Sequence, residues 1–209
     1  NVKGILDCAG DPNNHLTEKG KTETLIIADT IKRLNIDRIV VSPFLRTKET
    51  ADLLAPLLGI KEVVVDDRLR EINLGIFDGR LIADFLKEEG ALEFLRFSHR
   101  VEGGETHEEV QNRTMACLYE EEKKHEGKNI LYITHGGTAR MMIAGARLAT
   151  EEEVLNDEAL GHPEMYLKNG EVKKLELMLV PRDETGAINL HRPYIDEVVL
   201  LDSKGQSMK

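Results

Sequence analysis

A layered α/β sandwich is the fold class this chain predicts, and three observations predict it. Short apolar runs at residues 36–41, 62–65 and 129–134 suit strands, and their near-continuous apolar character fits a sheet covered on both faces. Longer segments between them carry apolar residues at 3.6-residue spacing, the mark of helices with one buried stripe. Two of the strand runs stop at Ser42-Pro43 and at His135-Gly136-Gly137, turns that end a strand and open a helix.

Taken in chain order, the first helix is expected over 17–34, burying Ile27, Ala28, Ile31 and Leu34. The strand at 36–41 leads into Ser42-Pro43, with Ser42 as cap and Pro43 in the first turn of the next helix. That helix repeats Ala51, Leu54, Ala55 and Leu58 and stops at Gly59. After the strand at 62–65, a glycine-punctuated loop carries the carboxylate of Glu71. Residues of about 80–101 form a charged helical excursion, read as a small cap over the site. The helix over 106–126 turns Val110, Thr114, Cys117 and Leu118 inward, and the one after His135 turns Ala139, Met142, Ile143 and Ala146 inward. The stretch at 181–186 reads as a linker.

Composition restricts the function classes. A chain of 209 residues has room for one substantial α/β core and an appendage. No apolar run approaches a membrane span, and the expected setting is the cytoplasm, without a membrane partner. Cys8 and Cys117 lack metal spacing and read as reduced thiols, one in a loop and one on a helix's apolar face. The formal charge of −10 argues against broad contact with nucleic-acid backbones. The seven histidines include no His-Glu-x-x-His pair or Cys/His cluster, so neither a metal nor another cofactor is signalled. His107, beside Glu108 and Glu109, reads as a solvated helix start, and His99 and Arg100 as solvent-facing residues of the cap.

The chemistry-bearing residues sit where strands end. A strand that stops at Gly136-Gly137 before a helix presents N–H groups to an anion, with the helix dipole behind them. His135 at that place can donate a hydrogen bond to a phosphoryl oxygen. Arg46 lies in the first turns of the helix after Pro43, where a guanidinium can fork onto phosphate. Read alone, Arg46 would instead be a surface arginine pairing with Glu49 or Thr50. Transfer of a phosphoryl group also needs an acid for the leaving oxygen.

Together these segments resemble the histidine phosphatase superfamily, the phosphoglycerate mutase-like proteins. The resemblance covers residues 1–177 and rests on five ordered matches: Leu16-Thr17-Glu18-Lys19-Gly20, the arginine segment from Ser42 to Ala51, Leu69-Arg70-Glu71 with Leu74-Gly75, Gly103-Gly104-Glu105-Thr106 with Arg113, and Thr134-His135-Gly136. It implies a three-layer α/β/α sandwich that hydrolyses a small phosphorylated substrate through a phosphohistidine. It further implies that Asn1, Arg46, His135 and Gly136 hold the phosphoryl group and that Glu71 serves as acid and then base. The cap between Glu71 and Gly103 is short for a cofactor-dependent mutase, which favours hydrolysis.

One departure qualifies that expectation. The family's nucleophile is the histidine of an Arg-His-Gly segment, and no such segment occurs in the chain. Asn1 looks like the asparagine that follows that histidine in the family, so the expectation is a chain that starts just after its nucleophile and lacks turnover. The tail, residues 178–209, departs too. Its Leu190-His191-Arg192-Pro193-Tyr194-Ile195-Asp196-Glu197 is similar to a segment of isoleucyl-tRNA synthetases. That resemblance implies the alternative of a noncatalytic or regulatory insertion within such a ligase, with tRNA a partner of the parent only. Neither nucleotide-binding signature of class I synthetases is present, so the chain alone would not aminoacylate tRNA.

Overall fold

The computed structural model describes residues 4–88, 91–159, 164–175, 177, 200–201 and 207–208. Its centre is a parallel sheet of β1 (Arg38–Val41), β2 (Val63–Val65) and β3 (Ile130–Ile133), in the order β2-β1-β3. Ile39 pairs with Val63 on one side and with Leu131 on the other, so β1 lies in the middle and its three valine and isoleucine side chains are fully buried.

Side-chain alternation along β1 then sorts the core into two faces. Ile39 and Val41 join Ala28, Ile31, Ala51, Leu54 and Ala55, from α1 (Glu18–Lys32) and α2 (Leu45–Leu58). Val40 points the other way, into Leu69, Cys117, Leu118, Met142 and Ala146, drawn largely from α5 (His107–Lys124) and α6 (Gly136–Ala146). Helices on both faces of a parallel sheet make the three layers of the expected α/β/α sandwich.

Local chemistry sets the helix ends. Thr17 caps α1, its hydroxyl accepting from the Gly20 N–H at 3.0 Å, with Glu18 in the first turn and Lys32 in the last to suit the dipole. The helix stops at Lys32, and Asn35 follows in the left-handed region. Leu34 therefore falls outside the apolar stripe and is 46% exposed, against the expectation that it is buried. Gly59 ends α2 with φ +71°, its N–H returning to Ala55 and Pro56 carbonyls. Ser42 is not the cap of α2 and Pro43 is not in its first turn: Phe44 is the N-cap, without a side-chain cap bond, and the helix begins at Leu45. Thr106 and Glu109 form a reciprocal capping box at the start of α5.

The excursion read as a cap holds two short helices, α3 (Ile82–Glu88) and α4 (Ala91–Phe94), tied down by aromatic edges. Phe77 meets Phe85 at 5.0 Å, Phe85 meets Phe94 at 4.8 Å, and Phe94 meets the His107 ring at 4.6 Å. His107 is thus only 2% exposed, not solvated as its acidic neighbours suggest, because α4 roofs the first turn of α5. Burial, then the nearby Arg140 and His99, hold its imidazole down to about 4. Arg100 meets the expectation of a solvent-facing cap residue, pairing with Glu109 at 2.6 Å.

Helices α5 and α6 approach closely at Gly145, where an added Cβ would lie 2.7 Å from the Met115 side chain. Beyond α6, the backbone carbonyl of Val154 in α7 (Glu151–Ala159) accepts from buried Arg140 at 2.9 Å. A two-residue antiparallel ladder joins β4 (Leu200–Leu201) to β5 (Ser207–Met208). The linker at 181–186 and most of the synthetase-like tail lie outside the described residues, as does Asn1. Among the described residues no helix is long and apolar enough to cross a membrane.

Candidate active site

The carboxyl ends of β1 and β3 lie side by side, and the chemistry-bearing residues gather there, as open parallel sheets generally arrange their ligand sites. Ser42 is the first residue after β1. His135 is the N-cap of α6, two residues beyond β3, and Arg46 is in the first turn of α2. An Arg46 guanidinium nitrogen, Nη2, lies 3.0 Å from Nδ1 of His135. Ser42 Oγ lies 2.7 Å from the other ring nitrogen, Nε2. The Phe44 ring packs against both, 4.9 Å from the imidazole centroid and 5.0 Å from the guanidinium carbon.

The protonation state follows from these partners. Burial, and then the Arg46 cation, push His135 down to about 3, with Asp7 opposing and Arg113 adding to the fall. The ring is therefore neutral at pH 7. Arginine can only donate, so Nδ1 accepts from Arg46 and the proton resides on Nε2, donated to Ser42 Oγ. In this arrangement neither ring nitrogen is left over as a donor to a ligand.

Asp7 completes the cluster, and nothing in the sequence reading singled it out. Its Oδ2 accepts from Arg46 Nη1 at 2.5 Å and from Asn14 Nδ2 at 2.6 Å. Its Oδ1 accepts from the Gly10 and Asp11 N–H groups at 3.0 and 2.8 Å. Burial alone would raise its pKa, but these hydrogen bonds and the Arg46 charge outweigh it and hold the carboxyl below its ordinary value. The Arg46 guanidinium thus pairs with neither Glu49 nor Thr50; the Thr50 hydroxyl donates to the Arg46 backbone carbonyl at 2.9 Å, and Glu49 holds His15 at 2.7 Å.

Glu71, from the loop after β2, packs its carboxylate against the N-terminal turn of α6. Its Oε1 accepts from the Ile72 N–H and the Thr138 N–H, both at 3.0 Å, and lies 3.2 Å from the Thr138 hydroxyl. Thr138 also donates to the Arg70 carbonyl at 2.7 Å, binding the Glu71 loop to α6 from both sides of the peptide. A Cβ on Gly137 would come within 2.9 Å of Glu71 Oε1 and 3.1 Å of Ile72 Cγ2, so a larger residue there would displace the Glu71 carboxylate. An added Cβ on Gly136, in contrast, would meet nothing within 4 Å.

Behind Glu71, the partly buried Arg113 and Glu105 brace the loop. Glu105 accepts from Arg113 Nε at 3.0 Å, from Arg70 Nη2 at 2.7 Å and from the Asn73 N–H at 3.0 Å, while Arg113 donates to the Arg68 and Glu71 carbonyls. The structure therefore brings together Arg46, His135 and Gly136, with Glu71 on the same helix end, and leaves Asn1 outside the described residues. Asp7, Ser42 as the histidine's partner, and Thr138 are additions. Thr138 had a legible signal, a hydroxyl residue right after the two glycines; Asp7 had none.

A parallel sheet that gathers histidine, arginine and glutamate at one helix N-terminus makes this an α/β protein with its polar cluster at the carboxyl edge of the sheet. The chain belongs to the histidine phosphatase superfamily (branch 1), whose profile matches residues 1–162. It is 30% identical over 131 residues to a probable phosphoglycerate mutase GpmB of Escherichia coli K12, covering 61% of this chain. The chain matches 60% of the length of that relative. Among solved structures it is similar to Bacillus stearothermophilus YhfR, with TM-score 0.66 and 22% identity over 90% of this chain and 87% of the other. A mycobacterial glucosyl-3-phosphoglycerate phosphatase solved with inorganic phosphate gives TM-score 0.63 at 23% identity, covering 74% and 80%. An Entamoeba histolytica phosphoserine phosphatase solved with 3-phosphoglyceric acid gives 0.62 at 23%, covering 74% and 77%. These structural likenesses establish a shared fold.

Proposed function

We propose that this domain handles small phosphomonoesters, with hydrolysis through a phosphohistidine as the reaction of the site in which its residues act. The observation that carries the reading is the meeting of Arg46 and His135 beside the open N-terminus of α6, with Glu71 clamped to the same helix end. Arg46 and the Gly136 N–H would hold phosphoryl oxygens, and an anion drawing Arg46 off Nδ1 would let His135 take a proton and donate it as a hydrogen bond. Glu71, held by Oε1, would carry its exchangeable proton on Oε2 and give it to the leaving oxygen, then activate water. Asn1 belongs to the same proposal by resemblance. The phosphorylated ligands named for the similar structures support the substrate class.

The nucleophile is the part this chain does not supply, since no Arg-His-Gly segment is present. The chain should therefore bind phosphate without turnover. Incubation with p-nitrophenyl phosphate at mildly acidic and neutral pH tests this. Release of nitrophenol that disappears on changing Arg46, His135 or Glu71 would overturn the proposal that the chain lacks turnover. Loss of phosphate binding in Arg46→Ala is the positive control for the site. The segment from Leu190 to Glu197 supports a second reading, a domain embedded in an isoleucyl-tRNA synthetase. Coding sequence downstream of Lys209 that is not synthetase-like would remove it.

A further inference from the structure

Asp7 stands where a phosphoryl oxygen would have to stand. Its carboxylate meets Arg46 at 2.5 Å, its side chain is only 12% exposed, and the Gly10, Asp11 and Asn14 donors fix it in place. The 7–14 loop is thus built around a negative charge already seated on the cation of the site. Phosphate dianion placed on Arg46 would face that carboxylate at contact distance, a like-charge repulsion in a poorly solvated place.

We infer that Asp7 is a specificity-determining residue that makes the site select phosphoryl groups carrying a proton, the P–O–H donating to the Asp7 carboxylate while the remaining oxygens take Arg46. A monoanion turns the clash into a charge-assisted hydrogen bond and leaves Asp7 in its turn. The inference rests on the reading of Arg46 as the phosphoryl-binding arginine. The groups facing Asp7 are the Arg46 cation from α2 and the neutral His135 ring from the β3–α6 turn. Glu71 and Asp78, from the loop that packs on Cys8, add negative charge on the same side. All of the anions among them oppose a dianion, so none replaces Asp7 in reversing the preference.

The test measures binding of glycerol 2-phosphate, a phosphomonoester whose second ionisation falls near pH 6, to the full chain by calorimetry between pH 5.5 and 8. Asp7→Asn keeps an acceptor for the Gly10 and Asp11 N–H groups and turns an amide toward Arg46, so the loop is retained and the guanidinium is released. Asp7→Ala is the second variant, with circular dichroism as the folding check. In the unaltered chain affinity should fall at least about 10-fold from pH 6 to 8, following loss of the monoanion. In both variants affinity at pH 8 should rise roughly 10-fold and the fall with pH should flatten, as expected when a charge-assisted competitor is removed.

Weaker binding in both folded variants at every pH would make Asp7 an organiser of Arg46 and overturn the inference. So would equal pH slopes in all three proteins. In either case binding that still disappears in Arg46→Ala would leave the phosphomonoester reading standing. Absence of binding by every form, Arg46→Ala included, would overturn both.

Discussion

At the scale of single residues, the site is organised by what each polar group has left to offer. His135 is neutral and spends both nitrogens on protein partners, so its tautomer is set by Ser42 and Arg46 together. Ser42→Ala would strand the Nε2–H in a buried place, at a cost of about 1–3 kcal/mol. Urea unfolding measures it, and a change below about 0.5 kcal/mol would show that the Ser42–His135 hydrogen bond adds no net stability. Arg46 and His135 stood out in the sequence because each follows a strand end and lies in a segment that resembles a family motif; read alone, Arg46 was a surface arginine. Asp7 was not, since it reaches Arg46 across 39 positions and its own neighbourhood reads as an ordinary turn. Ser42 was legible as a polar residue at a helix start, but its hydroxyl turns to the imidazole instead of capping, a choice made by the neighbouring strand.

At the scale of elements, the loop that carries Glu71 is clamped by close backbone contact. Gly75 has φ +53°, and a Cβ there would lie 1.9 Å from the Glu102 carbonyl oxygen and 2.6 Å from the Gly104 nitrogen. Gly79 shares the left-handed backbone at φ +79° but faces nothing within 4 Å. Gly79→Ala should therefore cost only the conformational penalty, about 1–2 kcal/mol. Gly75→Ala should exceed about 3 kcal/mol, because two backbones must part as well. Equal thermal shifts for the two variants would contradict the clamp. The strands, the helices and most of their inward faces followed from periodicity, since a buried stripe repeats in the sequence whatever it packs against. Burial of His107 did not follow, because it depends on Phe94 arriving from another helix; Leu34 failed because the helix ends before its turn of the stripe is complete.

At the scale of the whole molecule, acid sensitivity has an early onset. His107 and His135 are held neutral, down to about 4 and about 3, whereas both would titrate near 6.5 in the unfolded chain. Below pH 6.5 the unfolded state thus binds protons that the folded state refuses, and stability falls as pH falls, by roughly 1.4 kcal/mol per pH unit for each group. Asp7 and Asp66, with lowered carboxyl values, add their losses only below about pH 3.8. Urea midpoints should therefore drop between pH 6.5 and 5, before any carboxylate is involved, and His107→Phe should reduce that slope by about half. A flat profile over that interval would refute the burial of the two rings as neutral species. The same burial governs the two thiols. Cys8 is pushed up to about 12, chiefly by desolvation, and Cys117 is raised further for the same reason. Neither holds appreciable thiolate at neutral pH, so a disulfide reagent can react with them only when the surrounding structure opens. Cys8 adjoins Asp7, and Cys117 lies on α5 against Val40 of the sheet. The protein therefore carries two native stopwatches, one timing the opening of the 7–14 loop and the other that of the helical layer beneath the sheet.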